Sequence, residues 1–305
     1  MTLTLTLLCA VALDYWLGEP RNAYHPLVAF GRWAAWLERV FRKPQYSPQG
    51  QKALGMMAWL CAMSPCLFFL LYLTLPPNQQ TIFSIAVLYF CISARSLRQH
   101  AHAVHQALTA DDLLAARLQV GKIVSRQTAD MTMDDVRRAT VESVLENGAD
   151  AVFAPLFWFV LLGPFGALLY RFCNTLDAMW GYKTPRYRHF GWTAARFDDL
   201  LNWIPARLTA LSYAAIGNSR QAIDAWQNQA HLLDSPNAGP VMTAGAGALN
   251  LQLGGPACYH GQLKQKPWFG GNQTPTDADI QLATGLIYHT LGLWLLLIGL
   301  GESLA

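Results

Sequence analysis

Residues 53–75 read ALGMMAWLCAMSPCLFFLLYLTL, without a single charged side chain. A helix of about 20 apolar residues crosses the roughly 30 Å hydrocarbon core of a bilayer, so this stretch is long enough to span one. It is followed by Pro76-Pro77-Asn78-Gln79-Gln80, a short uncharged turn, and by a second apolar run over 81–94 that ends at Arg95 and Arg98. Two apolar runs joined by a proline turn make a helical hairpin. The preceding stretch, 21–52, carries six Lys/Arg against the lone acid Glu38. Positive charge favours the cytoplasmic side. That places 21–52 and Arg95/Arg98 inside and the Pro-Pro turn outside.

Composition agrees with this reading of the hairpin. Of 305 residues, 53% are apolar and only 13% charged, about half the charge of an ordinary soluble domain. The net charge of +3 is spread over short loops, and no basic run points to nucleic acid. The six cysteines form no C-x-x-C and sit mostly in apolar runs, which argues for packing rather than zinc or disulfides. The apolar start, 1–18, lacks a basic n-region and is interrupted by Asp14, so it reads as a retained helix rather than a signal peptide.

Further along, 98–150 is polar, Ala-rich and helical in pattern. Thr109 or Asp111 is placed to cap one helix, and Thr132 with Asp135 forms a capping-box start for another. Residues 152–172 are apolar but broken at 163–166 by Gly163-Pro164-Phe165-Gly166. The loop after them carries Lys183, Arg186, Arg188 and Arg196, a cytoplasmic signature. A re-entrant or broken helix keeps both ends inside, since irregular backbone at membrane depth needs protein or water around it. The run 203–217 is short and holds Arg207, which fits an interfacial or buried helix, while 282–300 is a spanning candidate. The sequence therefore predicts one all-α polytopic membrane domain over 1–305, with about three to five embedded helices, cytoplasmic helical loops and no strands of consequence.

Several polar clusters stand against this apolar background. Glu142, Glu146 and Asp150 recur every four residues, within a sector of roughly 80° on one helix face that also takes in Asp135. Like charges at that spacing disfavour a helix by a few tenths of a kcal/mol, so a cation or basic partners should offset them. Mg²⁺ prefers one or two carboxylates plus phosphate oxygens, which makes these three the metal candidates and Glu146 and Asp150 catalytic candidates. Arg171, Asn174 and Asp177 share one side of a helix leaving the membrane. Arg196, Asp198, Asp199, Asn202 and Arg207 crowd twelve residues beside an apolar run, where polar groups are costly unless paired. The alternatives there are mutual salt bridges or a site for a charged substrate. Turn-rich segments follow around Ser235-Pro236-Asn237, Gly254-Gly255 and Lys266-Pro267-Trp268, where exposed backbone N–H groups are able to cradle phosphate. No P-loop, H-E-x-x-H or G-x-S-x-G occurs, so any ATP use is not of the P-loop type. On a helix His102 and His105 share a side, but His100 does not.

These same residues carry a family resemblance. The stretches LDYWLGEPRNAYHPLVAFGRW from Leu13, ATVESVLENGADAVFAPLF from Ala139, YRFCNTLDAMWGYKTPRYRHFGWTAARFDDLLNWIPARLTAL from Tyr170, SPNAG from Ser235 and LGGPACYHGQLKQKPWFG from Leu253 resemble the adenosylcobinamide-phosphate synthase family (the CobD/CbiB type) of cobalamin biosynthesis. The resemblance covers nearly the whole chain. It implies a multi-pass bacterial inner-membrane protein with its active face in the cytoplasm. The implied reaction is Mg²⁺- and ATP-dependent amide formation between adenosylcobyric acid and aminopropanol phosphate, near other membrane proteins of cobalamin assembly. It implies catalytic roles for Glu146, Asp150, Asp198 and Asp199. Substrate contacts are implied for Asp14, Arg32, Arg171, Asn174, Asp177, Arg196, Asn202, Arg207, Ser235, Asn237, Lys266 and Trp268. The chain departs from the family pattern twice, reading Pro240-Val241-Met242 where W-P-E is usual and Ser125-Arg126-Gln127-Thr128 where G-R-D-T is usual. Both departures remove an acid. They leave open a second reading, a non-catalytic membrane sensor, regulatory or assembly protein on the same scaffold.

Overall fold

A computed structural model of the chain describes residues 2–20, 24–259 and 262–304, with the side chains of 68, 258–259 and 262–263 not described. Positions 21–23 of the first matching stretch and 260–261 of the last lie outside the described residues. The fold is α-helical. Its helices are α1 (Leu3–Leu17), α2 (Pro26–Phe41), α3 (Pro48–Ala62), α4 (Phe69–Tyr72), α5 (Pro77–Cys91), α6 (Ala94–Thr109), α7 (Leu113–Val120), α8 (Met133–Gly148), α9 (Ala154–Trp180), α10 (Trp192–Ile216), α11 (Ser219–Gln229), α12 (Ala238–Ala248) and α13 (Asp277–Leu304). Four short strands, β1 (Gln252–Gly254), β2 (Ala257–Tyr259), β3 (Gln262–Lys264) and β4 (Trp268–Gly270), form two antiparallel pairs, β1 with β4 and β2 with β3.

Among the described residues, four helical runs are long and apolar enough to cross a membrane: Pro48–Tyr72, Pro77–Thr109, Met133–Trp180 and Asp277–Leu304. That number falls within the expected three to five, and the protein is an all-α polytopic membrane protein. Residues 53–75 do not form one continuous α-helix. α3 ends at Ala62, a 3₁₀ segment runs Ser64–Phe68, and α4 resumes at Phe69. Pro65 has no N–H to give to the i→i−4 ladder, so the chain tightens there. The break in 152–172 falls at Gly163, whose φ of 62° lies in the region that favours glycine, followed by Pro164. The run 203–217 is the second half of α10, with Ala206, Ala210 and Tyr213 buried and Trp203, Ile204 and Leu211 exposed.

The polar insert 98–150 becomes most of α6, α7, α8 and the start of the π-helical segment Ala149–Phe153. The Thr132/Asp135 capping box of α8 is present. The cap of α7 differs from expectation, because Asp112 accepts from Ala115 N at 2.9 Å, whereas Asp111 takes a φ of 56° in the turn before it. Thr109 instead donates back to the His105 and Gln106 carbonyls at the end of α6.

Where the sequence reads as one domain, contacts gather into two compact units, Met1–Ser93 with Ala154–Asn202 and Ala94–Phe153 with Trp203–Ala305. In the first, α2, α3 and α9 enclose Phe30, Leu37, Trp59, Phe172, Leu176 and Trp180, with Phe30 stacked on Phe172 at 4.0 Å. In the second, α8 packs on α12 and α13. Tyr213 is fully buried and its hydroxyl donates to the Leu145 carbonyl at 3.0 Å.

Candidate functional site

In the first unit, α9 and α10 build a buried polar network. Asp198 on α10 is 9% exposed. Its Oδ1 accepts from Asn174 Nδ2 on α9 at 3.2 Å, and its Oδ2 accepts from Asn202 Nδ2 at 3.1 Å. Asn202 is held in turn, since Tyr170 Oη donates to its Oδ1 at 2.9 Å. Two amides thus orient the carboxyl, and among the described residues no cation is paired with it. Burial pushes the Asp198 carboxyl up to about 6, with the Asp199 charge adding to the rise and the two amides opposing it. A carboxyl held near neutrality in a fixed orientation is equipped to take and return a proton.

The i, i+4 step from Asp198 to Asn202 keeps both on one helix face, and the same step puts Tyr170 over Asn174 on α9. Arg171 lies beside them, and its Nη2 donates to Ser93 Oγ at 3.3 Å. His25 precedes Pro26 at the start of α2, where its Nδ1 accepts from Leu27 N at 3.2 Å. Burial holds the imidazole below its ordinary value. Glu19 opposes that, and the nearby Arg171 charge reinforces it.

Other expected residues of this unit lie apart from the network. Asp14 is buried in α1, Arg32 is exposed on α2, and Asp177 lies further along α9. Asp199 and Arg196 pair with each other at 3.4 Å on an exposed face, where such a pair is worth about 0–1 kcal/mol. Burial raises Asp199, against the pull of Arg196 and Lys183. The mutual-salt-bridge alternative thus describes this pair, while Asp198 is the member held in a built environment.

The second unit holds the remaining candidates. Glu142 was expected among the metal ligands, but the structure commits both its oxygens. Oε2 is paired with Arg126, and Oε1 accepts from Gly254 N at 2.8 Å. Gly254 has a φ of 86°, and a Cβ there would meet the Pro267 carbonyl at 2.1 Å, so only glycine brings its N–H to this carboxylate. Glu146 is exposed on α8 and Asp150 half-buried in the π-helical segment. Among the described residues no three His, Cys, Asp or Glu converge as a ready metal cage.

Arg207 Nη1 donates to the Trp203 carbonyl at 2.7 Å and to Asn237 Oδ1 at 3.1 Å, and its Nη2 donates to the Pro236 carbonyl at 3.2 Å. Its guanidinium lies 4.4 Å from the Trp203 ring centroid. Ser235 Oγ accepts from Ala238 N at 3.1 Å and so fixes the turn into α12. Trp268 faces Arg138 at 5.0 Å, and Lys266 sits just before it. Of the two departures from the family pattern, Met242 is buried within α12, where it packs.

The sequence brought out Asn174, Asp198 and Asn202 but not Tyr170, His25, Ser93 or Arg126. A signal existed for two of these. Tyr170 stands one turn before Asn174, and His25 precedes a proline where a helix begins. Ser93 and Arg126 contribute through contacts distant in sequence, which spacing does not show.

The family model described as "CobD/Cbib protein" matches residues 7–287. A protein of Stutzerimonas stutzeri (strain A1501) named "Cobalamin biosynthesis protein CobD" is 48% identical over 99% of this chain and 98% of its own length. One of the same name from Chromobacterium violaceum is 50% identical over 96% and 95%, and one from Streptococcus sanguinis (strain SK36) is 38% identical over 94% and 93%. No solved structure matches the chain significantly.

Proposed function

The chain belongs to the CobD/CbiB family of cobalamin biosynthesis, and from that premise we propose that it joins adenosylcobyric acid to aminopropanol phosphate through an amide bond, using ATP. The observation that carries the reading is Asp198, a buried carboxyl near neutral pKa oriented by Asn174 and Asn202. Amide formation needs a free amine, and an amine at neutral pH arrives protonated. A base poised near the working pH is the group this step requires.

A carboxylate oxygen of the corrinoid attacks the γ-phosphorus of ATP. An O–P bond forms, the bond to ADP breaks, and an acyl phosphate results. The amine nitrogen then attacks the acyl carbon, and the C–O bond to phosphate breaks as the C–N bond forms. Asp198 accepts a proton released by the nitrogen, and Tyr170, Asn174 and Asn202 keep its oxygens in place. The products are the amide, ADP and phosphate.

Mg²⁺ fits the donor chemistry of the second unit only as a nucleotide-borne ion, because one or two carboxylates suffice when phosphate oxygens complete the shell. Glu146 and Asp150 would hold it, one helical turn apart, while Glu142 is bound to Arg126 and Gly254 N. Mg²⁺ would supply neutralisation of phosphate charge. The guanidinium of Arg207, held by three neutral oxygens, is equipped to meet an anionic substrate group. In the cell we place the protein in the bacterial inner membrane with this chemistry on the cytoplasmic side, alongside other cobalamin-assembly membrane proteins.

Isotope transfer tests the reading. With ¹⁸O in the reacting carboxylate, activation by ATP delivers one ¹⁸O to the released phosphate. Amide formation with no ¹⁸O in phosphate would refute the activation step.

A further inference from the structure

Among the described residues, Arg171 is a cation without a paired anion. Its Nη2 reaches Ser93 Oγ at 3.3 Å, and its buried Nε–H makes no hydrogen bond. Among the described residues no carboxylate is paired with it. It sits on α9, inside the apolar run Met133–Trp180. An ionisable side chain within such a segment is costly, and it pairs with another group or marks a ligand path. A half-buried guanidinium left, among the described residues, with one neutral hydroxyl is therefore held in readiness for an anion.

Its surroundings are donors. Ser93 is 7% exposed, and because its Oγ accepts from Arg171, its hydrogen remains to donate. His25 is 8% exposed and close enough that the Arg171 charge disfavours its protonation. Its Nδ1 already accepts from Leu27 N, so the neutral ring carries its hydrogen on Nε2, as a donor. The acid that bears on His25 is Glu19, which is exposed. We infer that Arg171, Ser93 and His25 form a receptor for a phosphoryl oxyanion. Three donors from three elements (α9, the α5–α6 junction and the start of α2) match a phosphoryl group's three oxygens better than a carboxylate's two. A phosphorylated small molecule and the phosphomonoester headgroup of phosphatidic acid share this chemistry. The inference rests on the proposed function only for its choice of carrier, aminopropanol phosphate.

The test reads binding, not turnover. Full-length protein in neutral detergent is titrated with inorganic phosphate, and separately with short-chain phosphatidic acid micelles, while thermal unfolding is followed. Wild type and Arg220→Gln, an exposed control on α11, should gain stability with phosphate. Arg171→Gln should bind about 30-fold or more weakly, the loss expected when a buried charged partner is removed. Arg171→Gln should also unfold later than wild type without anion, because a half-buried charge with no paired carboxylate among the described residues is gone. Should Arg171→Gln fail to fold, Arg171→Lys and Ser93→Ala, each weakening phosphate severalfold, carry the test. A response to the lipid alone, lost in Arg171→Gln, keeps the receptor and overturns the small-molecule carrier. Equal binding by wild type and Arg171→Gln, or no response to either probe, overturns the receptor. Because no product is measured, failure here leaves the ligation reading standing, and failure of ligation leaves the receptor standing.

Discussion

Asp198→Asn should make the protein more stable and less active. Burial raises the Asp198 carboxyl from 3.8 to about 6. A carboxyl whose folded value lies above its unfolded value favours folding in its protonated form, so it lends full support below pH 4. That support fades as pH rises through 6. Above pH 6 the ionised group opposes folding by roughly 3 kcal/mol, taking 1.36 kcal/mol per unit. Asparagine has the shape of the neutral acid and no charge to bury. It is an imperfect acceptor, because Asn174 and Asn202 both donate to this side chain, and turning one amide against another forfeits about 1 kcal/mol. The net gain at pH 8 is therefore about 2 kcal/mol, or a few degrees in unfolding temperature for a chain of this size. At pH 4 the gain vanishes or reverses. Thermal unfolding of detergent-purified wild type and variant at the two pH values measures this directly. Turnover should fall about 10²- to 10⁴-fold, the contribution of a positioned base, and the acid limb near pH 6 should disappear from the rate profile. A variant equally destabilised at pH 4 and pH 8 would refute the buried, cation-free carboxyl on which the reasoning depends.

Other perturbations separate support from chemistry. Arg126→Ala strands the buried Glu142 and should cost about 3–5 kcal/mol, read as loss of folded protein; Arg126→Ala with Glu142→Gln should recover most of it. Gly163→Ala meets no atom within 4 Å, so its cost is the backbone's alone, about 1–3 kcal/mol for a side chain at φ 62° and ψ −153°, and a fall well beyond that in unfolding experiments would show that the break in α9 is not its cause. Glu146→Ala and Asp150→Ala should insert and fold normally yet raise the Mg²⁺ concentration needed for half-maximal turnover at least tenfold; an unchanged Mg²⁺ dependence in both would remove them from the nucleotide's metal.

The sequence displayed the membrane character of this chain openly, because charge depletion over 53–75 and 282–300 needs no tertiary contact to recognise. Local punctuation was legible too. The Thr132/Asp135 box and the Gly163-Pro164 break both stand where the residues put them. Pro65 carried an equally local signal, the end of α3, that the apolar run around it masked. The candidate site was legible by halves. Helical spacing put Asp198 with Asn202 and Tyr170 near Asn174. The bonds that join α9 to α10, Asn174 to Asp198 and Tyr170 to Asn202, follow from packing and not from spacing. Glu142 shows the opposite failure. Its spacing with Glu146 and Asp150 made it look like a metal ligand, but its partners, Arg126 and Gly254, lie 16 and 112 residues away.

The most direct measurement is conversion of the corrinoid by purified full-length protein given adenosylcobyric acid, aminopropanol phosphate and Mg-ATP. The account predicts that the corrinoid gains the mass of the amine phosphate less one water, with one ADP formed per amide, and that Asp198→Asn suppresses both. An unchanged corrinoid mass with folded wild-type protein and this or any other amine phosphate would contradict it and leave the sensor or assembly reading in its place.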